Sequence, residues 1–325
     1  MATLESSSTS VLDLVKQVVT FLTSEANFGT GNAWTLLRPV TVASITDEVI
    51  LMGVGDGEDK IYLGMKIEDS TVNTGQVDIV LNGFGGFDTG LGWSEQPGAI
   101  PHTYLPTVPM VGDIRTNFWL SANTSRFILV VQLSTQFEMA YCGFLTPVSV
   151  ERQYPYPLAI GGSYIQGKSW TSTTPGHSCF LNPGSDEFAG LGAYSILASD
   201  NANENTTSLR VRRPDGTWRS GLNKNRSDTT MHFEKLCVWP QNTEPTNTLT
   251  VLDTSLTIEN VNMLPELLYE TYPAGIIGQF DGVFFVGNRE DLSSKETIIY
   301  NNKSYMVFNN VSRRDNDEYF AIQWY

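Results

Sequence analysis

The residues able to do chemistry are few and scattered. His102, His177 and His232 stand apart, and none has a second histidine or cysteine at metal-ligand spacing on one element. His177 and Cys179, within Pro175-Gly-His-Ser-Cys-Phe180, would share a strand face and could pair as base and nucleophile or as two ligands. Cys–His dyads are normally assembled from distant segments, so a structural role is the better expectation. Asp56, Glu58 and Asp59 could gather around calcium in a tight loop, but the spacing lacks the terminal glutamate of the 12-residue pattern, and a solvated acidic turn is expected. Asn82-Gly-Phe-Gly-Gly-Phe-Asp88 has clustered glycines without a lysine or a helix-forming sequence after them, so tight turns that place Phe84 and Phe87 against neighbours are favoured over a phosphate cradle. No catalytic residue, cofactor site or metal site is therefore expected, and the chain is read as no enzyme.

The basic residues are more informative. Arg210, Arg212, Arg213, Arg219, Lys224 and Arg226, six of the 20 lysines and arginines, fall within 17 positions, with Trp218 among them. Such a stripe is compatible with a solvated hairpin, with a patch for an acidic protein neighbour, or with nucleic acid stacking on Trp218. The rest of the chain weighs against the last. With 35 acids and a formal charge of −15, and with residues 1–114 holding 14 acids against Lys16, Arg38, Lys60 and Lys66, the surface should repel nucleic acid. It would suit a subunit that sets its basic patch against the acidic part of the next copy.

The elements that must carry these residues are mostly short strands. Glycine and aromatics are plentiful, only 17% of residues are charged, and turn residues punctuate the chain. Ser10 and Asp13 box the start of a helix whose apolar face is Val11, Leu14, Val15, Val18, Phe21 and Leu22. Met1 to Ser10 should be mobile. Strands are expected at 46–52, 60–67, 76–82, 118–121, 126–133 and 137–144. The run Arg126-Phe-Ile-Leu-Val-Val-Gln-Leu133 should be buried on both faces and form a hairpin with the strand that follows. Leu209 to Trp218, with its Pro-Asp-Gly turn, reads as a half-exposed hairpin in which Arg210 and Arg212 face outward. A linker helix at Leu264 to Tyr269 and strands at 282–286, 297–299, 303–308 and 319–324 complete the chain. The expectation is a mainly β protein, β-sandwich or barrel-like, with an N-terminal helix and a smaller C-terminal β unit. Its divisions are a tail and helix (1–25), a main β-rich domain (26–254) and the C-terminal unit (255–325).

Cys142, Cys179 and Cys237 are too dispersed for a disulfide framework and read as buried thiols. No stretch reaches the roughly 20 apolar residues of a membrane span, and no secretory leader is evident, so the Asn-x-Ser/Thr triplets at Asn123, Asn205, Asn225, Asn302 and Asn310 are read as composition.

A series of local motifs carries a resemblance. They are Ile61-Tyr-Leu-Gly64, Leu81-Asn-Gly-Phe-Gly-Gly-Phe-Asp88, Gln96-Pro-Gly98, Phe118-Trp-Leu120, Arg126-Phe-Ile-Leu-Val-Val, Tyr141-Cys-Gly-Phe-Leu145, Gln153-Tyr-Pro-Tyr-Pro-Leu158-Ala-Ile-Gly-Gly-Ser163, Arg213-Pro-Asp-Gly-Thr-Trp218, Gln279-Phe-Asp-Gly-Val283, Tyr305-Met-Val-Phe-Asn-Asn-Val311 and Tyr319-Phe-Ala-Ile322. In order and spacing the series resembles virion structural proteins of tailed bacteriophages. The resemblance implies a non-catalytic subunit, assembled in the host bacterial cytoplasm, that forms a homo-oligomeric ring in the neck or collar between head and tail. Its partners would be copies of itself and other head–tail neck or tail proteins, with no direct nucleic acid and no membrane. Tyr154 and Tyr156, rigid rings on an extended proline segment, are expected either to brace the core or to join the basic hairpin as subunit-interface residues. A receptor- or carbohydrate-binding tail protein is the alternative, because seven tryptophans and 13 tyrosines could furnish sugar-stacking platforms.

Overall fold

The computed structural model describes the chain apart from residues 57–58, 72–73, 102–104, 113, 149–156, 167–178, 181–207, 214, 221, 224–233, 240–261, 272–273, 288–291 and 310–318. It is mainly β, with three antiparallel sheets. The first sheet runs, edge to edge, β1 (Ala2–Ser8), β7 (Thr116–Ala122), β8 (Arg126–Leu133), β9 (Gln136–Phe144), β10 (Leu158–Gly162), β12 (Leu209–Arg212) and β13 (Trp218–Ser220). The second runs β11 (Tyr164–Ile165), β6 (Pro106–Val111), β5 (Gln76–Phe84), β4 (Asp59–Asp69), β3 (Glu48–Asp56) and β2 (Thr35–Arg38). The third runs β14 (Leu222–Asn223), β15 (Glu234–Trp239), β16 (Asn262–Thr271), β17 (Ala274–Gly287), β20 (Tyr319–Gln323), β19 (Lys303–Asn309) and β18 (Thr297–Tyr300).

The first sheet is the middle layer. Alternate residues of β8 enter two separate cores: Phe127, Leu129 and Val131 pack toward the second sheet, and Ile128 and Val130 toward the third. That is the double burial expected of a continuous apolar run. The hairpin to β9 forms as expected, from Leu133 opposite Gln136 to Arg126 opposite Gly143. A core between the first two sheets holds the helix α1 (Val11–Leu22), whose face of Val11, Leu14, Val15, Val18, Val19, Phe21 and Leu22 is buried. The Ser10 hydroxyl accepts from the Asp13 N–H at 3.1 Å and the Asp13 carboxylate accepts from the Thr9 N–H at 2.9 Å, so the expected cap is present. The second core is aromatic, with Trp119, Phe137 and Phe308 in mutual contact and Tyr141, Phe180 and Phe280 packed edge to face.

Two expectations are corrected. Residues 2–8 are an ordered edge strand, Ala2 lying opposite Ala122 and Ser8 opposite Thr116. The seven-residue ladder satisfies backbone groups that composition alone left unpaired. Leu264 to Tyr269 is no linker helix but part of β16, held on both sides by β15 and β17, with irregular register between Pro265 and Leu267 and between Leu268 and Tyr269. Tertiary pairing overrides the helix-like spacing of its leucines. The smaller C-terminal sheet also takes β14 and β15 from before residue 255 and shares its core with the first sheet.

Candidate interaction site

Four of the motifs singled out in the sequence converge on one place at the surface. The loop after β5 is built around Gln96, which is 2% exposed: its amide donates to the Asp88, Leu91 and Gly92 carbonyls, and its oxygen accepts from the Asp88 N–H. Trp93 folds back over Gly64 and meets Phe84 edge to face, 6.1 Å between centroids. Arg38 lies over the Phe87 ring and donates to the Leu91 carbonyl at 2.6 Å. These contacts fix a cap on the second sheet whose two arms, Gly85 and Gly98, meet through a Gly85 N–H to Pro97 carbonyl bond of 2.6 Å.

Against those arms lies the hairpin β12–β13. Its turn is closed by the Thr217 carbonyl accepting from Arg213 N–H and by the Asp215 carboxylate accepting from the Thr217 N–H and hydroxyl. These two bonds hold the Asp215 carboxyl below its ordinary range. Arg212 and Trp218 are direct cross-strand partners, so both point to one face. The Trp218 indole donates to the Gly98 carbonyl at 2.8 Å and its ring lies against Gly83 and Ile160. The Arg212 guanidinium sits among three glycines: a Cβ at Gly85 would come within 2.7 Å of its Nη2, one at Gly216 within 3.4 Å and one at Gly98 within 3.6 Å. The buried Nε of Arg212 has no hydrogen-bond partner.

The expected basic patch is thus redistributed. Arg210 is not outward-facing: it is 2% exposed, paired in register with Ile160, and burial pushes its guanidinium down to about 9. The reason is that the hairpin continues the first sheet, β12 lying between β10 and β13, rather than standing free on the surface. Arg213 and Arg219 are half-buried with contacts of their own. Lys224, Arg226, Tyr154 and Tyr156 lie outside the described residues, as do His102, His177, His232 and Glu58. Asp56 and Asp59 are paired in backbone register across the β3–β4 hairpin. Cys142 and Cys179 are free and buried, and burial raises both thiols.

A second polar cluster joins the first and third sheets, and it was not legible in the sequence. Arg126, fully buried, donates Nε to the Asp281 carboxylate at 3.1 Å and Nη1 to the Ser121 carbonyl at 2.9 Å. Asn123 donates to the same Asp281 oxygen at 2.7 Å, and the Tyr141 hydroxyl accepts from the Asp281 N–H and donates to the Phe144 carbonyl. Burial, before the nearby Asp281 charge, raises the Tyr141 hydroxyl far above its ordinary value, so it serves as a neutral bridge. Asp281 also borders a cleft of about 280 Å³ with Gly55, Thr124, Ser125, Phe144, Leu145 and Thr146. Two acids are displaced upward by burial: Asp78 to about 6, and fully buried Glu266 well above the carboxylate range. Among the described residues no group of three or more histidine, cysteine or acidic side chains is placed to hold a metal.

No protein-family model matches the chain, and no curated protein is similar to it.

Proposed function

We propose that this chain is a non-enzymatic structural subunit of a tailed bacteriophage virion, assembled in the host cytoplasm and forming a symmetric ring at the neck or collar between head and tail. The observation that carries the reading is the convergence at Arg212 and Trp218. Leu81 to Asp88, Gln96 to Gly98, Leu158 to Ser163 and Arg213 to Trp218 are four of the segments by which the sequence resembles such proteins, and they build one surface junction. Their role there is packing and presentation. An exposed edge adds support: β18 closes the third sheet with Ile299 67% exposed, a feature that a neighbouring subunit would cover. Native mass spectrometry of the purified chain, together with binding to an array of bacterial glycans, tests the proposal. A discrete cyclic oligomer without glycan binding supports it. A monomer that retains specific glycans would replace it with a receptor-binding role.

A further inference from the structure

We propose that the Arg212 guanidinium is a socket for a carboxylate, and that its occupant is an aspartate or glutamate side chain of a second copy of this chain. The inference rests on the ring reading and narrows the six-residue basic patch to one group. Arg210 is buried, Arg213 and Arg219 have contacts of their own, and Arg212 alone of the described four has a side chain with neither a hydrogen bond nor an ion pair. A half-buried guanidinium without an acceptor is costly, and a carboxylate docking on its outer nitrogens would supply one, while the enclosed Nε stays out of a partner's reach.

The site is built to receive a planar anion. Gly85, Gly98 and Gly216 let Nη2 pack close against the cap and the turn, where a side chain at Gly85 would collide with it. Arg212 is half-buried, and its fork is bordered by exposed Gly85, Pro97 and Gly98, with the half-buried Trp218 fixed beside it by its bond to Gly98. Arginine held in one orientation binds carboxylates through two parallel bonds, which adds geometric selectivity to charge. Asp215, the acid in the adjoining turn, is already committed to Thr217.

Charge identifies the occupant. The chain carries −15 overall, so an approaching copy presents mainly carboxylates, among them exposed Glu5, Glu25, Asp47 and Asp69. The same net charge disfavours a nucleic acid phosphate at this site.

The test is sedimentation equilibrium of the full chain and three variants, with thermal melts to verify folding. Arg212→Gln should weaken self-association at least about tenfold, the scale for losing one partner of a hydrogen-bonded charge pair. Arg212→Lys should fall between, keeping charge without the fork. Gly85→Ala should match Arg212→Gln, because the added methyl displaces the guanidinium. Zero-length carbodiimide coupling of the Arg212→Lys variant should join the introduced lysine to an Asp- or Glu-containing peptide of another copy. Self-association unchanged in Arg212→Gln, or an oligomer of the lysine variant that yields no such crosslink, overturns the socket and leaves the ring standing. A wild-type chain that remains monomeric overturns the ring and the socket with it.

Discussion

Asp78 should make the protein less stable as pH rises from 4 to 6.5, and replacing it with asparagine should abolish that part of the loss. Asp78 is 4% exposed on β5, opposite Pro109 on β6, which has no N–H to offer, and accepts one bond of 2.7 Å from Gln76. Desolvation raises its carboxyl from 3.8 to about 6; the Gln76 bond opposes this, and the charges of Glu68 and Glu138 add to it. Below 3.8 the folded and unfolded chains are both protonated there, and no difference arises. Between 3.8 and 6 the unfolded chain loses the proton while the folded chain keeps it, so stability falls with pH; above 6 the deficit is constant. At about 1.4 kcal/mol per pH unit, the 2.2-unit gap gives a deficit of about 3 kcal/mol at neutral pH. Asp78→Asn keeps an oxygen for Gln76 and removes the titration. Urea unfolding followed by tryptophan fluorescence, at half-unit steps from pH 3.5 to 7.5, should show the variant equal to wild type at the acid end and more stable by about 3 kcal/mol at the other. A stability difference that does not change with pH would refute the reasoning.

Other substitutions probe the joints between layers. Asp281→Ala should cost about 2–3 kcal/mol, toward the low end for a broken buried pair because Asp281 is one-third exposed while Arg126 is 1% exposed; chemical denaturation measures it. Gly282→Ala should lower the melting temperature by more than about 4 °C, because φ there is +74° and the new methyl would strike Arg126 Nη2. Glu266→Leu should stabilise the protein, and more so as pH rises: its carboxyl is fully buried without hydrogen-bond partners, and an acid displaced upward by burial withdraws stability with increasing pH. A calorimetric melt at pH 5 and pH 8 checks the sign.

Much of the fold could be read from local pattern, because most of its elements are self-declaring. The double-sided burial of β8, the cap of α1 and the strands at 303–309 and 319–323 each announce themselves within a dozen residues. The failures lie where a distant partner decides. Ala2 to Ser8 carries little apolar content, and its ladder partner β7 lies more than a hundred residues away. Leu264, Leu267 and Leu268 have helical spacing, yet β15 and β17 claim both edges of the segment. The candidate site was half legible: the arginines and the glycine clusters were visible as separate motifs. Their meeting depends on Gly85 and Gly98 reaching Arg212 from another sheet, and no local signal encodes that. The Arg126–Asp281 pair was hidden for the same reason, its partners lying 155 positions apart.

The central claim, that the chain is a ring subunit of a phage particle, is tested most directly by class-averaged electron microscopy of particles labelled with an antibody against this protein. The account predicts label in a closed ring at the junction of head and tail. Particles without label, or label confined to the tail tip, would contradict it.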